Sequence, residues 1–152
     1  MGEINWGRLA LGALVAGILA FLLDGLLHAV LLKPLWVALA KSYGQTGNEP
    51  GDPTDFVYYG LYDLAKGAAA VWVYALARKQ LGPGPRTAIL AGLTVWALTV
   101  PIPLGGELPF HWFGRRIAFF WSLYGLPFAV ISALGGAWVY RPKVIAGSPA
   151  QP

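Results

Sequence analysis

Apolar residues run along this chain in long blocks, and the polar positions fall in short breaks between them. The first block spans about Trp6 to Leu32, too long for a signal-peptide core and without a small-residue cleavage site after it. Lys33-Pro34 is expected to break it, leaving Leu35 to Tyr43 as a short interfacial helix. Residues 44–54 (GQTGNEPGDPT) read as a polar loop. A second block runs from about Asp55 to Leu81, with Thr54 or Asp55 as N-cap. Gly82-Pro83-Gly84-Pro85 is a tight turn, and a third block covers about Arg86 to Pro101. The fourth starts near Pro109 and reaches Tyr140. These lengths suit helices that cross a bilayer. The predicted fold is all-α: an integral membrane bundle of four transmembrane helices plus the short interfacial helix. It forms a single domain over residues 1–142, with a disordered tail over 143–152.

Composition supports that class. Hydrophobic residues are 57% of the 152 and charged residues 12%, about half of what a soluble domain carries. No cysteine is present, which removes disulfides and thiolate metal ligands from consideration. The net charge of +4 is not gathered into a basic run, so nucleic acid is not an expected partner. With four spans both termini share one side, which carries Arg8, Arg78, Lys79, Arg86, Arg141 and Lys143. The other side carries Lys33, Lys41, Arg115 and Arg116. That balance places both termini in the cytoplasm, in a bacterial inner membrane, with the Arg115-Arg116 pair as the exception.

Small residues mark the faces on which membrane helices pack, because lipid supplies no hydrophobic drive for association. The expected stripes are Ala10, Ala13, Gly17 and Ala20 in the first block and Gly60, Asp63, Gly67, Ala70, Tyr74 and Ala77 in the second. In the fourth they are Ala118, Ser122, Gly125, Ala129, Ser132 and Gly136, and in the third Ala88, Gly92 and Thr99. Followed outward, these stripes lead to ionisable residues: Asp24 and His28, Asp63 and Lys66, and Glu107, His111 and Arg115. The topology puts all seven at the same end of the bundle.

Two kinds of chemistry fit such a cluster. Asp24, Asp63 and Lys66 can form a buried ion triad that sets helix register, since Asp63 and Lys66 are one turn apart. Alternatively the cluster binds an ion or small molecule. Asp24-x-x-x-His28 and Glu107-x-x-x-His111 each pair a carboxylate with an imidazole at helical spacing. Together Asp24, His28, Glu107 and His111 would give four nitrogen and oxygen ligands for a divalent metal. Proton coupling through Asp24 and Asp63 beside Lys66 is a related possibility. No cofactor is strongly implied. No nucleophile elbow, phosphate loop or dinucleotide fingerprint is present, so enzyme chemistry has no motif behind it.

Three short motifs carry a resemblance: Ile4-Asn5-Trp6, then Gly82-Pro83-Gly84-Pro85-Arg86-Thr87-Ala88, then Gly136-Ala137-Trp138-Val139-Tyr140. In these the chain resembles a group of small uncharacterised bacterial membrane proteins with four spans. The resemblance implies a fold and no activity. The expected role is that of a non-catalytic accessory subunit or assembly factor, with the bilayer, other membrane proteins or further copies of itself as partners.

Overall fold

The computed structural model describes residues 4–47 and 52–140, and every regular element among them is helical. Helix α1 (Trp6–Leu26) starts at Asn5, whose side chain accepts a hydrogen bond from the Arg8 amide at 3.2 Å. It widens into a π-helical turn, Leu27–Leu31, closed by a 2.8 Å bond from the Leu32 amide to the Leu27 carbonyl. Helix α2 (Lys33–Ser42) follows directly. Lys33-Pro34 is therefore a corner between helices, because a proline in a first turn has no intrahelical bond to lose.

Helix α3 (Pro53–Leu81) begins earlier than the sequence pattern indicates. Its cap is Asp52, which accepts from the Thr54 amide at 2.8 Å, and not Thr54 or Asp55. That bond holds the exposed Asp52 carboxyl below its usual range. The helix stops at Gly82, whose φ of 82° suits only glycine well. Helix α4 (Pro85–Thr99) passes into α5 (Pro101–Glu107) and a 3₁₀ turn at Leu108–Phe110. The prolines expected to end the third block instead start α5: Pro101 and Pro103 lie in its first turn, where their missing N–H groups cost nothing. Helix α6 (Arg115–Val139) starts at Arg115, not near Pro109. His111 adopts a left-handed conformation, with φ 57°, and Gly114 is extended, so no helix passes through them.

Three stretches are long and apolar enough to cross a membrane: Trp6–Leu31, Pro85–Phe110 and Arg115–Val139. By length and composition the chain is a multi-pass membrane protein. Helix α3 is longer still, at 29 residues, but Asp63 and Lys66 sit within it and lower its apolarity. The expected tail over 143–152, with Arg141 and Lys143, lies outside the described residues.

The bundle is built on backbone approach. Helix α1 packs against α3 and α6, and α4 packs against α6 and α3. At the α1–α3 crossing, Gly17 faces Gly67: a Cβ on Gly67 would meet the Gly17 amide nitrogen and would lie 2.5 Å from its Cα. At the α1–α6 crossing, a Cβ on Gly12 would stand 2.8 Å from the Gly136 carbonyl. The stripes expected on α3 and α6 hold: Asp63, Gly67, Ala70 and Tyr74 are buried, as are Ala118, Gly125, Ser132 and Gly136. On α1 the stripe is displaced. Gly12, Ala16, Gly17 and Ala20 are buried, whereas Ala10 is exposed and Ala13 only half-buried. Helix α1 touches two neighbours, α3 and α6, so its buried face is set by both.

Candidate functional site

Helices α1 and α3 run antiparallel, as their contacts require: Trp6 stacks on Trp72 at one end and Phe21 meets Phe56 at the other. Side chains on a helix lean toward its N-terminus. Lys66 therefore leans toward the start of α3, which is the end of α1 that carries Asp24. Its ammonium bonds Asp24 and also lies 2.7 Å from Asp63 Oδ1, one turn back on its own helix. It sits over the Tyr62 ring as well, 5.2 Å from the centroid. The close approach at Gly17 and Gly67 is what brings this reach within the length of one lysine side chain.

The triad is enclosed. The Asp63 side chain is 4% exposed, Lys66 14% and Asp24 22%. Its contacts are unequal. Asp24 receives a hydrogen bond from Lys66, whereas Asp63 Oδ1 has only the charge contact and no aligned hydrogen bond. Two carboxylates thus share one ammonium in apolar surroundings.

A cavity of about 30 Å³ adjoins the triad, enough for one or two waters. Asp24 and Lys66 line one end of it, and Trp96, Thr99, Gly125 and Ser132 line the rest. The Thr99 hydroxyl donates to the Val95 carbonyl at 2.7 Å, and that of Ser132 to the Phe128 carbonyl at 2.9 Å. Both oxygens keep lone pairs to offer. Trp96 donates its indole N–H to the Ser122 carbonyl at 3.0 Å and so ties α4 to α6.

The remaining expected residues are placed differently. His28 belongs to the π-helical turn, and its Nδ1 accepts from the Trp36 indole at 3.2 Å. Its ring stands edge-on to Trp121, with centroids 4.6 Å apart. Glu107 ends α5, and His111 is exposed in the turn beyond, its Nδ1 3.1 Å from the Leu108 carbonyl. Arg115 is exposed at the first position of α6. Glu107, His111 and Arg115 therefore do not continue the α6 stripe, because the chain is not helical between them. No group of three or more His, Asp or Glu residues is positioned to hold a metal among the described residues. The set Asp24, His28, Glu107 and His111 is accordingly not assembled as one site. The tryptophans around His28 and the cavity behind Lys66 carry no sequence signal, since each depends on helices far apart in the chain.

No protein-family model, curated protein or solved structure matches the chain.

Proposed function

We propose that this chain is a four-span, non-catalytic integral membrane protein that packs against other membrane proteins as an accessory subunit or assembly factor. Helix α3 is the second of the four spans. At ~1.5 Å per residue its 29 residues extend about 44 Å, well beyond a hydrocarbon core of ~30 Å. Its two central charges are paired inside the bundle, so they do not bar it from lipid. Both termini then lie on one side, which the arginine and lysine balance assigns to the cytoplasm of a bacterial cell. Helix α2 is the short interfacial helix: none of its residues is buried, and Trp36 anchors it to His28.

The observation that carries the accessory role is the N-terminal third of α3. Phe56, Val57, Tyr58, Tyr59 and Leu61 are all exposed, on successive positions that face every direction around the helix. Of these rings only Phe56 has a partner on another helix, Phe21. Large amphipathic rings of this kind, cheap to order, are what protein interfaces enrich. Native mass spectrometry after extraction from the source membrane in mild detergent tests the proposal. Stoichiometric association with other membrane subunits is expected, and it should be lost on replacing Tyr58 and Tyr59 by serine. A lone chain or a homo-oligomer, unchanged by those substitutions, would overturn it.

A second reading, an ion- or small-molecule-binding membrane protein, is favoured by the triad and its cavity. The cavity's size restricts any ligand there to an ion or water.

A further inference from the structure

We propose that Asp24, Asp63 and Lys66 form a proton-binding site, in which the two carboxyls share a single proton at neutral pH and exchange it through the water-sized cavity. The site is separate from the aromatic end of α3, and it stands whether or not a partner protein docks there.

Charge balance is the first ground. Both carboxyls contact one ammonium, so the fully ionised triad carries one uncompensated negative charge. Other titratable groups near it are few. His28 lies one turn beyond Asp24 on the same chain segment, and its Nδ1 accepts the Trp36 indole proton, so in this arrangement the ring is neutral. Helices α4 and α6 present no ionisable side chain to the cavity, only Trp96, Thr99 and Ser132 as polar groups. Nothing on the packed elements offsets the excess. An unpaired charge enclosed among apolar helices is neutralised by gaining a proton more readily than it is tolerated.

Geometry is the second. Asp24 and Asp63 are within hydrogen-bonding reach of each other. Two carboxylates at that range cannot both ionise easily, and one proton between them turns repulsion into a hydrogen bond. It would also satisfy Asp63 Oδ1, the buried oxygen that lacks an aligned donor. The third ground is access. A proton held in a sealed core is a fixed structural feature, but this triad opens onto a cavity with room for one or two waters and with hydroxyl lone pairs on its walls. Binding and release need only transfer an H⁺ between the Asp24 carboxyl and a cavity water; no bond other than O–H forms or breaks.

Infrared difference spectroscopy on the full chain in lipid nanodiscs tests the site directly. The wild type at pH 7 is expected to show one protonated carboxyl band above ~1700 cm⁻¹ that shifts in deuterated water, which its exchange with cavity water requires. Asp24→Asn and Asp63→Asn should each abolish the band, since the remaining carboxylate pairs one-to-one with Lys66. Helical circular dichroism confirms that each variant is folded, and the wild-type band alone remains decisive if either is not. Absence of the band in the wild type overturns the proposal. So does a band that survives in both variants, or one that does not exchange into deuterated water. A rise in unfolding temperature with added sodium or potassium chloride, without the band, would assign the compensating charge to a metal cation instead and equally overturn it.

Discussion

Gly67→Ala should force α1 and α3 apart, and the structure sets the size of the effect. The new Cβ would stand 2.5 Å from the Gly17 Cα and 2.8 Å from the Ala16 carbonyl carbon, and closer still to the Gly17 nitrogen. Carbon atoms pack at ~3.5–4.0 Å, so the helices must separate by roughly 1 Å. Every atom in the way is backbone, so no side chain can swing aside. Overpacking of this kind costs ~1–3 kcal/mol. Alanine returns ~1 kcal/mol through its better helix propensity, which leaves a net loss of up to ~2 kcal/mol. The neighbouring residue is Lys66, so the same separation stretches its bond to Asp24. Gly25→Ala is the control, because nothing lies within 4 Å of a Cβ there. That variant should gain ~0.5–1 kcal/mol. Denaturant unfolding in one detergent, followed by far-ultraviolet circular dichroism, compares the two. Gly67→Ala unfolding at the same or a higher midpoint than Gly25→Ala would refute the argument that backbone contact holds this crossing.

Two further outcomes follow from the same structure. Lys66→Leu leaves Asp24 and Asp63 facing each other without a cation, and should lower stability by ~3–5 kcal/mol; an unchanged thermal midpoint in detergent would contradict the enclosed triad. Asp52 is held below the usual carboxylate range by the Thr54 amide, so its contribution to the start of α3 is present above that range and lost as pH falls through its lowered value. Hydrogen exchange at the Thr54 amide should therefore quicken in acid, and Asp52→Ala should show the acid rate already at neutral pH.

The charged triad and the packing faces of α3 and α6 were legible in the sequence because one helical period places them. Asp63, Gly67, Ala70 and Tyr74 repeat at steps of three and four, and a helix has only one face on which to put them. The face of α1 was less legible. Gly7, Ala10, Gly12, Ala13, Ala16, Gly17 and Ala20 offer several small-residue lines, and contact with both α3 and α6 selects the one that contains Gly12 and Ala16. The region from Pro101 to Gly114 misled for another reason. Proline and glycine read as loop, yet a first-turn proline suits α5, whereas His111, which reads as helical, occupies the left-handed region. Helical spacing between Glu107 and His111 meant nothing once the chain turned between them. The cavity had no local signature at all, being the gap that glycines and alanines from distant helices leave when they meet.

The π-helical turn at Leu27–Leu31 amounts to one residue more than an α-helix needs. That surplus sets the phase of everything after it. Deleting any single residue between Leu27 and Leu31 would let the segment close as plain α-helix and rotate α2 by about 100° relative to α1. Trp36 would swing away from His28, and with it the contact that pins α2 to the bundle. A change of chain length by one, in a stretch that carries no charge beyond that histidine, would thus do more to this fold than most substitutions, because it alters phase rather than chemistry.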